Sequence, residues 1–268
     1  MLEGIRTDLF AQREDFDPVN FCIRGVWTTR YRLKLLPEST PFDLQFVLVQ
    51  TDQIGCCYYP VPELVSGERA CIGASVFDRF EHPALDIAAL DAAAAAIAPQ
   101  GEHRVLSGTN SAKASQRAHL ICSEARRLAG PAMPPRVALV GVVGEVLHEL
   151  RGWGGVEILA SDYSPQLAGD QMEGVLVRSG ADTERLIESA DVAIVTGMSL
   201  ANGTLQGILD AARRAKTKLL IFAQTGHSFA PTYLGLGADT VVSERFPFYL
   251  SAAGPSDVWI ARRPEPQS

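Results

Sequence analysis

The sequence has little positive charge for its length. Its 268 residues include 24 Lys and Arg against 31 Asp and Glu, which gives a formal net charge of −7. Nucleic acids and anionic membrane surfaces are bound through a basic face, so we expect neither as a partner. Aromatic residues make up only 7% of the chain, which argues against a platform that stacks the bases of single strands.

Long apolar runs are absent as well. No run reaches the roughly 18 residues that a membrane-spanning helix needs. The first residues lack the basic segment followed by an apolar one that marks a signal peptide. The cysteines are odd in number and scattered, which indicates reduced thiols rather than a disulfide framework: Cys22, Cys56, Cys57, Cys71 and Cys122. We therefore expect a cytoplasmic protein.

Common metal-binding motifs are also missing. The histidines show no HExxH-type spacing, and no CxxC pair is present. The adjacent thiols of Cys56 and Cys57 cannot easily share one ion. No metal-ligand set is therefore predicted from the residues themselves.

The first half of the chain has strand-like runs followed by helical ones. Runs rich in Val, Ile, Phe and Tyr predict an antiparallel meander over residues 21–35, 42–50 and 54–59. Two later segments, 82–98 and 111–128, predict helices. A proline cluster at 131–135 marks the expected domain boundary. We expect an N-terminal α+β lid domain over 1–130 and a ligand-binding domain over 131–268.

The second half alternates strands with helices. The continuous apolar run 136–143 is typical of a strand that is buried on both faces. Runs at 239–243, 246–251 and 258–261 predict a terminal hairpin. The predicted fold class is α/β, in which the N-terminal α+β domain precedes a Rossmann-like, mostly parallel sheet that closes with a C-terminal antiparallel hairpin.

Two short segments near the start of this second half could contact a ligand. Gly141 and Gly144 follow the first strand and open a helix, where the backbone can approach an anion or carboxylate closely. The alternative is a tight turn that serves packing alone. Asp162, followed by Tyr163, ends the next strand and could accept the hydroxyls of a ribose. The alternative for Asp162 is a turn or helix cap.

A polar, glycine-punctuated turn after the 191–195 strand is the strongest ligand signal. Open α/β sheets bind ligands where such turns follow the strands. Thr204 could cap the next helix, and capping alone would use only one or two of the groups. The candidate ligand contacts in this turn are Thr196, Gly197, Ser199, Asn202 and Thr204.

Candidates for catalysis come from three different parts of the chain. His227, in the polar segment after the next strand, could act as an acid, a base or a metal ligand. Asn202 is the amide of the polar turn. Tyr59 belongs to an aromatic group with Trp27, Tyr31 and Tyr58, whose ring faces could hold a cation, although each ring could equally be core.

The run from Ala190 to Leu205, with its Thr-Gly turn and its Asn-Gly-Thr, closely resembles the signature of the Rossmann-like putative heavy-metal chelation family. The glycines at 141 and 144 and Asp162 also match that family's pattern. The segment Ile72-Gly-Ala-Ser75 resembles the family's N-terminal domain, which is similar to that of enolases. The segment 243–262 resembles instead the closing hairpin of class I S-adenosylmethionine-dependent enzymes.

These resemblances imply two functions. The first is a small-molecule enzyme that uses S-adenosylmethionine as substrate or cosubstrate, for methyl or aminocarboxypropyl transfer or for cyclisation to azetidine-2-carboxylate. The second is a binding protein for a metal ion or metal–metabolite chelate, with His227, Asp162 and one cysteine as candidate ligands. The partner in either case is a small molecule. The acceptor substrate, the catalytic base and a homodimeric state stay open.

Overall fold

The computed structural model describes residues 1–34, 41–59, 71–97, 101–131, 134–246 and 254–264. None of the helices in these segments is both long and apolar enough to cross a membrane.

The N-terminal part is a three-stranded antiparallel sheet with helices on one side. The strands lie in the order β1-β2-β3, as the meander predicts. Alternate side chains face opposite sides of a strand, and those of Val47, Val49 and Cys57 join the main core on the helical side. The elements are α1 (Leu2–Gln12), β1 (Gly25–Leu33), β2 (Phe42–Gln50), β3 (Ile54–Tyr59) and α2 (Pro83–Ala96).

Helix α2 lies unusually close to strand β3. Pro83 occupies its first turn and the His82 side chain accepts from the Ala84 N–H, so both start signals are present. The helix is built largely of alanine, and Gly55 of β3 faces it. A methyl group at Gly55 would overlap the backbone of Ala88 and Ala92. Small residues on both sides therefore set this close contact.

The larger part is a nine-stranded sheet in the order β4-β12-β11-β10-β9-β5-β6-β8-β7. Its remaining strands are β4 (Glu102–Leu106), β5 (Arg136–Val140), β6 (Glu157–Asp162), β7 (Gln171–Met172), β8 (Val175–Ser179), β9 (Val192–Thr196), β10 (Lys218–Ala223), β11 (Thr240–Glu244) and β12 (Ser256–Arg262). The helices are α3 (Asn110–Ala129), α4 (Gly144–Arg151), α5 (Thr183–Glu188), α6 (Met198–Ala201), α7 (Leu205–Ala215) and α8 (Ala230–Leu236).

Six neighbouring strands of this sheet are parallel, from β8 to β11. Numbered along the chain from β5, they lie in the order 3-2-1-4-5-6, which is the Rossmann order. Strand β12 runs antiparallel to β11 and forms the predicted C-terminal hairpin with it. The predicted α/β fold with a mostly parallel sheet is confirmed. The predicted strand at 246–251 lies outside the described residues except at 246.

The division of the chain differs from the predicted one at residue 130. Strand β4 pairs with β12 at the edge of the large sheet, and α3 packs on β9, β10 and α4. These two elements precede the proline cluster but belong structurally to the Rossmann-like part. The small sheet unit therefore ends with α2. Prolines report a break in secondary structure, whereas pairing of distant strands decides which sheet an element joins.

The two parts share one hydrophobic core. A single cluster of buried side chains includes Val47 and Leu90 from the N-terminal part and Val195 and Ile221 from the large sheet. The N-terminal sheet is therefore packed firmly against the edge of the large sheet at which the predicted ligand turns lie.

Candidate functional site

A cavity of about 250 Å³ opens at the carboxyl ends of β5, β6 and β9. The strand order reverses direction between β5 and β9, and ligands of open α/β sheets bind beside such a switch point. The large sheet and its turns supply most of the lining, which consists of Val140, Gly141, Asp162, Tyr163, Ser164, Pro165, Gln166, Thr196, Met198, Ser199 and Asn202. The N-terminal sheet supplies Asp43 and Tyr58.

Gly141 brings the end of β5 against the end of β9. Its φ is +76°, a region that L-residues rarely adopt. Its N–H donates to the Ser161 carbonyl at 3.0 Å. A methyl group at Gly141 would overlap the hydroxyl of Thr196. Both the conformation and the contact therefore require glycine, and together they bring the Thr196 side chain to the floor of the cavity.

Asp162 is held by the backbone on both of its oxygens. Oδ2 accepts the Val142 N–H at 2.9 Å and Oδ1 accepts the Ser164 N–H at 2.7 Å. Burial raises the pKa of this carboxyl, and the two N–H donors only partly oppose that effect. Asp162 therefore makes the hydrogen bonds of the predicted turn, and it is also a lining residue of the cavity.

The polar turn after β9 is organised by its own side chains. Ser199 Oγ donates to the Thr196 carbonyl at 2.9 Å, which supports the short helix α6. Asn202 Oδ1 accepts both the Thr204 N–H at 3.1 Å and the Thr204 hydroxyl at 2.7 Å. The amide nitrogen of Asn202 takes no part in these bonds, so it is the group that can serve a ligand.

Several predicted site residues do not line the cavity. Gly144 is buried in the first turn of α4. Gly197 donates its N–H to the Phe222 carbonyl at 2.8 Å and has no room for a side chain beside Thr225. Thr204 is engaged with Asn202. These three residues shape the turns that carry the lining residues.

The predicted catalytic residues His227 and Tyr59 lie away from the cavity lining. His227 is buried, and its Nδ1 lies 2.7 Å from Oδ2 of Asp91 on α2. Tyr59 is also buried and meets the ring of His82 edge-on at 5.8 Å between centroids. In both cases the buried side chain packs between elements. Of the three predicted catalytic candidates, the geometry brings only Asn202 to the cavity.

Asp43 is a lining residue that the sequence patterns do not single out, whereas Tyr58 belongs to the predicted aromatic group. They come from adjacent strands of the N-terminal sheet, far from the Rossmann-like segments in the chain. The Tyr58 N–H donates to the Thr225 hydroxyl at 2.9 Å, which ties β3 to the segment after β10. Only this packing brings Tyr58 to the cavity, so its place beside the Rossmann-like turns could not be read from a local motif.

The proposed soft metal ligands do not converge. Among the described residues there is no group of three or more His, Cys, Asp and Glu side chains that could hold an ion. Cys56, Cys57, Cys71 and Cys122 are buried. Burial raises the pKa of the thiols of Cys56, Cys57 and Cys122, which disfavours the thiolate that metals bind.

Residues 132–243 match the model of a family described as "DUF364: Putative heavy-metal chelation". A segment of 110 residues is 32% identical to an uncharacterised protein of Methanocaldococcus jannaschii and spans 41% of this chain but only 40% of that relative. The predicted resemblance to the heavy-metal chelation family is confirmed over the matched segment.

Two solved structures of proteins of unknown function from the DUF364 family share the fold. The Desulfitobacterium hafniense protein has a TM-score of 0.60 at 13% identity, over 96% of this chain and 99% of its own. The Pyrococcus horikoshii protein has a TM-score of 0.56 at 15% identity, over 97% and 99%. None of these descriptions mentions S-adenosylmethionine, so the resemblance of the hairpin to class I enzymes gains no support.

Proposed function

We propose that the protein binds a small metal–metabolite chelate in the cavity at the ends of β5, β6 and β9. The observation that carries the proposal is the lining itself. It offers hydroxyl, amide and carboxylate groups at a Rossmann switch point, but no converging set of metal-ligating side chains among the described residues. The ligand would therefore bring its own metal ligands, and the protein would recognise the complex from outside.

The alternative of a bare ion is less well supported. A heavy metal bound directly to protein takes several thiolate, imidazole or carboxylate ligands in a defined geometry. The described side chains supply no such arrangement. The description of the matched family supports a metal in the ligand. The combination of a metal-related family and a site without metal ligands favours the chelate.

The polar groups would orient the complex. Thr196 offers a hydroxyl beside Gly141, and Asn202 offers an amide N–H₂ that can donate to the carboxylate or hydroxamate oxygens common in chelators. Drug-sized ligands occupy cavities of about 300–1,000 Å³. A cavity of about 250 Å³ suits a compact complex of one metal with one to three small organic ligands.

Native mass spectrometry tests the proposal directly. Protein purified without chelators should carry the added mass of one metal and its organic ligand per chain. Elemental analysis of the same sample should find the metal in stoichiometric amount, and unfolding should release both. A metal without organic mass would overturn the chelate reading. So would an empty protein that also fails to bind any of the cobalt(III) complexes defined below.

A matched pair of variants tests the location. Thr196→Val keeps the shape but removes the hydroxyl, and it should weaken chelate binding roughly tenfold, the value of about one hydrogen bond. Thr7→Val makes the same change on the exposed face of α1, where the hydroxyl donates only to the Glu3 carbonyl. It should leave binding unchanged. Equal affinities for both variants would remove the cavity as the site.

A second candidate function is an S-adenosylmethionine-dependent enzyme. Its supporting observation is that Gly141 and Asp162 line one cavity, where the methionine part and the ribose would lie. Against it, Gly144, the second glycine expected to approach the methionine part, is not a lining residue. Titration calorimetry with S-adenosylmethionine and S-adenosylhomocysteine decides this candidate. Absence of heat with both would end it.

A further inference from the structure

We infer that the ligand of this cavity is a small cation, and that Asp162 and Asp43 are the residues that select its charge. This inference deepens the proposed function and rests on the same cavity. Its basis is the charge of the lining. Asp43 and Asp162 are both lining residues, and no Lys, Arg or His is among the described residues that line the cavity.

Asp162 lacks a cationic partner among the described residues. Its carboxylate accepts two uncharged backbone N–H groups, and no described Lys, Arg or His shifts its pKa. A carboxylate that is partly withdrawn from water, as this one is, is stabilised by a nearby positive charge. Each oxygen accepts one N–H and keeps capacity for a further partner. A cation in the cavity would supply the missing compensation.

Asp43 adds a second negative group from the N-terminal sheet. Its side chain is only 11% exposed, while its partner Arg30 at 2.9 Å is 57% exposed. Arg32, at 3.8 Å, is 73% exposed. Ion pairs with such solvent-exposed arginines are weak because water and salt screen them. Arg30 and Arg32 therefore offset part of the charge of Asp43, and Asp162 is the lining carboxylate without a described cationic partner.

Other lining residues also suit a cation. Tyr58 and Tyr163 are aromatic, and Met198 has a polarisable thioether. Tyr163 is 43% exposed, and its ring packs on one side against Gly180, where even a methyl group would overlap it. Aromatic faces attract cations, and the attraction is stronger where water is excluded. Carboxylates and aromatic faces together form the recognition chemistry of a small cation.

Two sources of such a cation fit this chemistry: a positively charged chelate and a sulfonium nucleoside. Three inert cobalt(III) complexes separate charge from metal identity, because all contain the same ion. Bis(ethylenediamine)glycinatocobalt(III) is doubly positive, tris(glycinato)cobalt(III) is neutral, and the ethylenediaminetetraacetate complex is negative. S-adenosylmethionine and S-adenosylhomocysteine form the nucleoside pair, since only the first carries the sulfonium charge.

The experiment measures the affinity of the full chain for all five compounds by titration calorimetry. We expect the positive member of one series to bind at least tenfold more tightly than its uncharged counterpart. Asp43→Asn and Asp162→Asn should each reduce that preference roughly tenfold, because a charge pair near a protein surface is worth about that much or more. Affinity for the uncharged counterpart should change little, which also reports that the variants are folded.

Asp8→Asn is the matched control. It removes the same charge from an exposed position on α1, outside the cavity, and should leave the preference intact. Binding that is equal for positive and uncharged members, or a preference that survives both cavity variants, would overturn the inference while leaving the chelate proposal standing. Failure of all three cobalt complexes would instead count against the chelate proposal. A sulfonium preference in that case would still support cation recognition.

Discussion

At the scale of single residues, two glycines near the cavity share one conformation but differ in surroundings. Gly141 and Gly203 both have a φ of +76°. A methyl group at Gly141 would overlap Thr196, whereas one at Gly203 would meet no atom within 4 Å. The pair therefore separates the cost of the left-handed backbone from the cost of a steric overlap.

We expect Gly203→Ala to lower the free energy of unfolding by about 1–2 kcal/mol, the cost of an L-residue in the left-handed region. Gly141→Ala should lose about 1–3 kcal/mol more, because the overlap forces β5 and β9 apart. Urea denaturation of both variants measures the difference. Equal losses would mean that the contact between Gly141 and Thr196 is not tight.

Asp162 gives a prediction on pH dependence. Its pKa is raised from an ordinary value of 3.8, so at pH values above 3.8 and up to the raised pKa the folded state binds more protons than the unfolded state. Stability from this group is therefore greatest at low pH and declines as pH rises through that interval.

The comparison with Asp162→Asn isolates this effect. The difference in unfolding free energy, ligand-free wild type minus variant, should fall as pH rises from 3.8 through the raised pKa. Asparagine also replaces one of the two acceptor oxygens by an NH₂ group. The cost of that loss in unfolding free energy should not vary with pH, so it does not change the slope. Urea titrations across the range measure the slope. A difference that grows with pH would show that the folded state favours the ionised carboxylate.

At the scale of elements, a single buried carboxylate joins three of them. Asp91 of α2 accepts the Cys56 N–H of β3 and the Ser228 N–H after β10, each at 2.9 Å, and pairs with His227. The cavity residue Tyr58 follows Cys56 by two positions on the same strand. Asp91 thus helps to hold the N-terminal sheet beside the cavity.

Asp91→Ala should lower the free energy of unfolding by about 3–5 kcal/mol, because it leaves two N–H groups without their acceptor and removes the carboxylate beside the buried His227. Asp52→Ala breaks an ion pair with Arg24 in which both side chains are at least 40% exposed, and should cost less than about 1 kcal/mol. Denaturant titration compares them. Similar losses would contradict the joining role of Asp91.

At the scale of the whole molecule, the reactivity of the cysteines towards alkylation tests how tightly the N-terminal sheet packs on the large sheet. Cys22 is partly exposed, while the other four are buried in the shared structure. Iodoacetamide followed by peptide mass spectrometry should modify Cys22 first in the native protein and all five after unfolding. Early modification of Cys56 or Cys57 would mean that the N-terminal sheet separates readily from the large sheet.

The described segments differ in how far the sequence anticipates them. The 111–128 pattern predicts α3 to within one residue at each end, since its apolar periodicity and terminal glycine are local signals. Strands β4 and β8 are absent from the prediction. They are short, and in both of them exposed residues outnumber buried ones, so their alternation is weak.

The residues of the candidate site also differ in how far the sequence predicts them. Five of them end or follow strands of one parallel sheet, so their meeting at its carboxyl edge follows from sequence order: Gly141, Asp162, Thr196, Ser199 and Asn202. His227 also follows such a strand, yet its side chain turns to Asp91 instead of the cavity. The direction of a side chain depends on neighbours that are remote in the chain.

The sequence by itself determined the α/β class, the resemblance to the heavy-metal chelation family and the edge of the sheet where a ligand should bind. These features follow from local periodicity and turn chemistry, which depend on residues that are close together in the sequence. Only the tertiary structure decided that Asp43 and Tyr58 complete the cavity, that β4 and α3 belong to the large sheet, and that no described cation offsets Asp162. Those features depend on contacts between distant segments, which only packing creates.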